Sequence, residues 1–255
     1  MIALLRATRS AAAFVALVAV LGLGGLYQRL LLWPLSFAAP ALASRLSARL
    51  MQWLGWQVLA FVRLGGSTVR LTGRVPSDQA CLVVMNHQSL LDIPIAALTC
   101  QPVFPRYVAR TRYRPAPTVG MGLRLTGGLF VDPVRDPIGA VEVLRRAARA
   151  ADRAIVVYPE GHRSRDGGLG EFETAGIRSL LGASRMPVYL IVADGAWHCR
   201  SLRDFILGMH RVQTSTRVAG PFEPPLKKGD LRPFVDEMRQ KMTGLLEELR
   251  SGEAE

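Results

Sequence analysis

Residues 11–27, AAAFVALVAVLGLGGLY, form an unbroken apolar run preceded by Arg6 and Arg9. Seventeen residues lie at the short end for a helix that spans a bilayer, and a re-entrant segment or the core of a signal peptide has the same texture. The small-x-small triplet Ala41-Leu42-Ala43 lies well beyond the run, past Arg29 and two prolines, so the segment is expected to be retained. A second apolar stretch, Ala48 to Leu64, carries Trp53 and Trp56, with Arg45, Arg49 and Arg63 at its margins. Amphipathic rings and snorkelling guanidinium groups suit the headgroup layer of a membrane, and a core helix is the alternative reading. From Gly65 onward short β-type runs alternate with helical ones. Strands are predicted over Thr68–Thr72, Ala80–Met85, Leu129–Val131, Ala154–Tyr158 and Val188–Val192. Val212, Thr214, Thr216 and Val218 alternate as on a one-sided edge strand. A helix over Asp136–Ala150 has Asp136 as N-cap and Pro137 in its first position, and an amphipathic helix covers Leu231–Arg250. The pattern predicts an α/β fold, with a mixed, largely parallel sheet flanked by helices. It divides the chain near Gly65-Gly66 into an N-terminal membrane-anchoring helical segment, 1–64, and an α/β domain, 65–255.

Composition narrows the partners. Thirty-two Lys+Arg stand against 20 Asp+Glu, a formal net charge of +12 in 255 residues. Such a balance suits nucleic acid, an anionic membrane or a phosphorylated substrate. The aromatic residues gather in the membrane segment instead of interleaving with basic residues on one face, which disfavours nucleic acid. The three cysteines, Cys81, Cys100 and Cys199, form no C-x-x-C pair, so neither a disulfide scaffold nor a zinc ribbon is expected.

The chemistry concentrates in VVMNHQSLLDIPIA, residues 83–96, where Asp92 follows His87 by five positions. Ser89 and Asp92 have the spacing of a capping box, so Asp92 has a structural reading as well. Pro94 at the fifth position of a helix begun at Leu90 would remove a backbone bond. A turn over His87–Leu91 with a helix starting near Asp92 therefore fits better, and such a turn lets the two side chains pair. The carboxylate then fixes the imidazole tautomer while the other nitrogen takes a proton from a hydroxyl. Directly after the strand AIVVYP comes EGHRSRDG, Glu160 to Gly167, at the carboxyl end of a strand, where open α/β sheets place ligands. Arg163 supplies a planar fork for phosphate oxygens and Ser164 a hydroxyl donor, while a solvated basic turn is the plainer reading. Arg106, Arg110, Arg112 and Arg114 form a dense basic run. A serine hydrolase lacks its G-x-S-x-G elbow, a zinc enzyme its histidine spacing, and GMGLRLTGG carries Leu125 where a dinucleotide fingerprint needs its third glycine.

Together these blocks resemble the glycerolipid acyltransferases, typified by 1-acyl-sn-glycerol-3-phosphate acyltransferase. Asn86 to Asp92 is similar to the family's N-H-x-x-x-x-D motif, Gly128 to Asp132 to its second block, Glu160 to Ser164 to its E-G-T-R-S block, and Met186-Pro187-Val188 to its fourth. The resemblance implies transfer of an acyl group from acyl-CoA or acyl carrier protein, as co-substrate and without cofactor or metal, to the free hydroxyl of a lysophospholipid. It implies 1-acyl-sn-glycerol 3-phosphate as acceptor, or another lysolipid such as lyso-ornithine lipid. His87 is then the base and Asp92 its orienter, with Asn86, Arg110, Phe130, Glu160, Gly161, Arg163 and Ser164 at the substrate. The implied setting is the membrane, with the catalytic domain on the cytoplasmic side. Two positions depart from the family: Pro133 stands where the second block usually carries Arg, leaving Arg135 as the nearest guanidinium, and His162 replaces Thr. Both border the acceptor site. A non-catalytic membrane lipid-binding protein would explain the charge and the apolar N-terminus but not the His–Asp pair.

Overall fold

The computed structural model describes residues 2–76, 79–199, 204–206 and 209–252. Its N-terminal quarter is helical: α1 (Ile2–Tyr27), a π turn at Gln28–Leu32, α2 (Trp33–Ala38) and α3 (Pro40–Leu64). The helical stretch is longer than the run 11–27. It extends over Leu5–Ala38, 34 residues that contain an 18-residue window of mean hydropathy 2.0, long and apolar enough by length and composition to cross a membrane. Helix α3 has two faces. Met51, Leu54, Leu59 and Val62 are buried in the main core, whereas Trp53 and Trp56 are 50% and 44% exposed. The core reading of this segment therefore holds for one side of the helix, and the opposite side leaves both tryptophans exposed.

Seven strands follow among the described residues: β1 (Thr68–Arg70), β2 (Leu82–Met85), β3 (Arg106–Arg110), β4 (Leu129–Val131), β5 (Ile155–Val157), β6 (Val188–Asp194) and β7 (Gln213–Phe222). Their order in the sheet is β1-β7-β6-β2-β5-β3-β4, and every pairing is parallel except the antiparallel β6–β7. Between them lie α4 (Asp92–Thr99), α5 (Val119–Leu125), α6 (Pro137–Arg149), α7 (Thr174–Ala183) and, after β7, α8 (Leu231–Ser251). This is the mixed, largely parallel sheet that the alternating texture predicts.

Strand side chains alternate between two covered faces. In β2, Val83 and Met85 join the core shared with α3 and α4, while Leu82 and Val84 join the core under α6, α7 and α8. Burial on both faces is why this strand reads as a continuous apolar run. Each fully buried Leu or Ile contributes about 1.5–3 kcal/mol relative to exposure. Ala13, Met51 and Leu54 share a cluster with Val83 and Ile191, so the helical hairpin and the sheet are packed through one core.

Two strand expectations are corrected. β7 is not an edge: β1 lies outside it, pairing Thr68 with Gln213 and Arg70 with Ser215. Its alternation arises because Thr214 and Thr216 turn inward, each 1% exposed. The dense basic run contains a strand that the pattern did not predict. Arg106 and Arg110 are the two ends of β3, and its buried residue is Tyr107. Helix α6 begins as its sequence predicts, with Asp136 accepting from the Gly139 N–H at 2.8 Å.

Candidate active site

β2 ends at Met85, and the next residues turn off the carboxyl edge of the sheet before α4 starts at Asp92. Asn86 pins that exit. Its amide donates to the Ala193 carbonyl at 2.8 Å and accepts from the Ala193 N–H at 2.8 Å, stitching β2 to β6. In the turn, His87 Nδ1 lies 2.7 Å from Asp92 Oδ2. The same oxygen accepts from the backbone N–H groups of Gln88 at 2.7 Å and Ser89 at 2.8 Å. Asp92 is fully buried and thus does both jobs its spacing allows, satisfying the turn's backbone donors and holding the imidazole. The His87 ring is stacked on Tyr158, centroids 4.4 Å apart and planes 27° from parallel. Burial above all, with Tyr107 and Asp92 nearby, raises the Tyr158 phenol well above its ordinary range.

The loop after β5 grips His87 through the main chain. Glu160, 2% exposed, accepts from the His87 N–H at 2.7 Å and from the Gly170 N–H at 2.8 Å. Burial pushes its carboxyl upward, against the opposing pull of those two bonds. The Ser164 N–H donates to the His87 carbonyl at 2.7 Å, and its hydroxyl donates to Asp166. Gly161 lies between these anchors at φ 67°, where a Cβ would stand 2.5 Å from Glu173 Oε1 and 2.9 Å from an Arg110 nitrogen. Much of the Glu-Gly-x-Arg-Ser block is thereby a clamp on the histidine.

A cavity of about 1060 Å³ opens beside His87. One end is polar and basic, lined by Arg110, Arg112, His162, Arg163 and Arg165, with Glu173 paired to Arg110 at 3.2 Å. The other end runs between the sheet and the helices on Val131, Pro133, Val141, Leu144 and Ile177. A charged mouth leading to an apolar slot suits an amphiphile. Of the residues expected at substrate, His87, Arg110, Glu160, Gly161, Arg163 and Ser164 line this cavity. Asn86 and Phe130 do not: Asn86 is turned into the sheet, and Phe130 packs partly buried against the core. Pro133 is on the wall, whereas Arg135 is exposed outside it. Tyr158 and Glu173 escaped the sequence reading. Tyr158 looked like the end of a buried strand, and Glu173 lies beyond the recognisable block. Among the described residues no group of three or more His, Cys, Asp or Glu side chains could hold a metal ion.

A His–Asp pair at the carboxyl end of a largely parallel sheet, opening on a basic cavity with an apolar extension, defines the candidate active site. A family model, Acyltransferase, matches residues 67–192. The chain is 28% identical over 188 residues to the 1-acyl-sn-glycerol-3-phosphate acyltransferase alpha of Ovis aries, covering 71% of this chain. It spans 63% of the length of that relative. It is 36% identical over 90 residues to the 1-acyl-sn-glycerol-3-phosphate acyltransferase of Helicobacter pylori, 34% of this chain and 37% of that one. The crystal structure of the 1-acyl-sn-glycerophosphate (LPA) acyltransferase PlsC from Thermotoga maritima has the same fold, with a TM-score of 0.72, 21% identity and coverage of 97% of this chain and 98% of that one. Residues 67–192 thus carry an Acyltransferase domain, and the relatives that the chain resembles are glycerolipid acyltransferases.

Proposed function

We propose that the protein moves a fatty acyl group from acyl-CoA or acyl carrier protein to the free hydroxyl of 1-acyl-sn-glycerol 3-phosphate, in phospholipid biosynthesis. The observation that carries this reading is the 2.7 Å His87–Asp92 pair facing a cavity that is basic at one end and apolar at the other. With Nδ1 held by Asp92, the free Nε2 of His87 takes the proton of the acceptor hydroxyl as its oxygen attacks the thioester carbonyl. The tetrahedral intermediate collapses, the C–S bond breaks, and the proton on Nε2 passes to the departing thiolate. No acyl-enzyme forms: the nearby Ser89 hydroxyl donates to the Cys199 carbonyl at 2.6 Å, and Cys81 and Cys100 are buried. Arg163 and Arg110 hold the acceptor phosphate, and the apolar slot takes an acyl chain. No cofactor or metal enters these steps.

Residues 1–64 anchor the enzyme in this reading, and the cavity faces the cytoplasm, where both thioester donors are soluble. One observation favours a second acceptor class. Glu173 puts a carboxylate on Arg110, which suits a headgroup that carries an amine, such as lyso-ornithine lipid. The test is a product assay with purified protein, pairing acyl-CoA or acyl carrier protein donors with lysophosphatidic acid, other lysolipids and lyso-ornithine lipid. Diacyl product from lysophosphatidic acid, abolished by His87→Ala, is expected. Absence of product from every pairing would refute the proposal.

A further inference from the structure

We propose that Arg250, in the last turn of α8, is a positioning residue that sets the register of the loop 160–170 around His87. The inference rests on the acyltransferase reading of the site. Arg250 forms a two-pronged bond with the last residue of β6: Nε donates to Asp194 Oδ2 and a terminal nitrogen to Asp194 Oδ1, both at 3.1 Å. The same terminal nitrogen donates to the Gly167 carbonyl at 2.9 Å. Gln88, fully buried beside His87, converges on the same two acceptors, with its amide nitrogen 2.8 Å from the Gly167 oxygen and 3.1 Å from Asp194 Oδ1. The backbone N–H of Gln88 in turn donates to Asp92 Oδ2. A chain of bonds thus leads from the C-terminal helix through Gln88 to the carboxylate that orients the histidine.

Close packing fixes this node. Gly167 has φ 83°, and a Cβ there would stand 2.6 Å from the Trp197 ring and 3.1 Å from the Arg250 guanidinium. A second α8 residue, Arg239, donates to the Gly170 carbonyl at 3.1 Å. The loop is therefore held on one side by Glu160 and Ser164 bonded to His87, and on the other by α8. Asp194 and Arg250 both lie outside the segment 67–192 that matches the family model. Exposed ion pairs contribute little to global stability, and the Arg250 side chain is 43% exposed. The buried face of α8, Val235, Met238, Met242 and Leu246, does not depend on it. Losing Arg250 should free the loop without melting the helix.

The experiment compares wild type, Arg250→Ala, Arg250→Lys and Glu248→Gln. The last breaks the Arg217–Glu248 pair, a neighbouring tie between α8 and the sheet that does not touch the loop. Thermal midpoint, hydrogen exchange of residues 160–170 and acyl-transfer kinetics are measured on each full chain. Arg250→Ala should leave the midpoint within a few degrees, raise exchange in the loop, and lower kcat/KM by up to about 100-fold, the cost of misplacing a site by an ångström. Lysine keeps the charge without the fork, so Arg250→Lys should fall between alanine and wild type. Unchanged loop exchange in Arg250→Ala, an equal rise in Glu248→Gln, or full retention in Arg250→Lys would each overturn the proposal. A wild type that transfers no acyl group would instead sink the functional reading, since the exchange result is obtained without turnover.

Discussion

Replacing Asp92 by Asn separates orientation from charge. The buried Oδ2 accepts three bonds, two of them from backbone N–H groups that cannot move, while Oδ1 is buried without a partner. An Asn side chain must therefore put its oxygen at the Oδ2 site, because the flipped amide would turn its own N–H groups against those donors. With the oxygen there, His87 still donates through Nδ1 and keeps the tautomer that leaves Nε2 free. What is lost is the charge: a bond to an ionised acceptor contributes about 1.5–3 kcal/mol against about 0.5–1.5 for a neutral one. The imidazolium that forms in the transition state feels this loss most, so about 1–2 kcal/mol of barrier, or about 5- to 30-fold in kcat, is expected. Asp92→Ala removes orientation too and strands two backbone donors at about 1–3 kcal/mol each. It should cost about 10³–10⁴ in kcat and about 2–6 kcal/mol of stability. Initial rates with saturating acyl-CoA and lysophosphatidic acid, alongside denaturant midpoints, read both quantities. If Asn proved as damaging to kcat as Ala, the orientation argument would fail. Wild-type rate in Asn would remove Asp92 from the mechanism.

His87→Ala should lower kcat by about 10²–10⁴ with the fold intact, and a single-turnover experiment with labelled acyl-CoA should leave no acyl group on the protein. Label on Ser89, Cys81 or Cys100 would refute direct transfer. Arg163→Ala should raise the acceptor KM by at least tenfold, about the 1.4 kcal/mol of one lost charge-assisted bond, whereas Glu173→Gln should lower KM for a phosphate acceptor by freeing Arg110. The opposite order of these KM values would exclude the basic end of the cavity as the phosphate site. Trp53→Ala combined with Trp56→Ala should weaken sedimentation with anionic vesicles at least several-fold and leave the thermal midpoint nearly unchanged, because both rings lie on the exposed side of α3. Burial pushes the Cys199 thiol up to about 12, helped by Asp204, and raises Cys100 further still. Native protein at about pH 8 should thus resist thiol reagents that label all three cysteines after denaturation.

The sequence was most legible where a local rule and the tertiary arrangement agree. Pro94 ruled out an early helix start, and α4 begins at Asp92. Asp136-Pro137 announced α6 and caps it. Legibility failed where tertiary contacts decide. Arg106 and Arg110 hide β3 because guanidinium groups at both ends of a strand mask its short apolar centre. The alternation in β7 suggested an edge because a partner of only three residues, β1, leaves little trace in local pattern. In the site, resemblance marked Asn86 and Glu160, but only the fold reveals that Asn86 stitches β2 to β6 and that Glu160, on the cavity wall, also clamps the His87 backbone. Arg250 and Asp194 are invisible to spacing, since only the fold brings the end of α8 onto the end of β6.

The pairing of β1 with β7 also bears on how the chain is born. Strand β1 directly follows the hairpin of α1 and α3, yet its only hydrogen-bonded neighbour among the described strands is β7, with Thr68 beside Gln213. The same late stretch receives the hairpin itself: Ser10 lies 3.3 Å from His210, and Ser67 donates to the Met209 carbonyl. At about 5–20 residues per second, a ribosome releases β1 on the order of ten seconds before β7 exists. During that interval the apolar hairpin has emerged without the segment that will close over its end, so the outer rim of the sheet is zipped last.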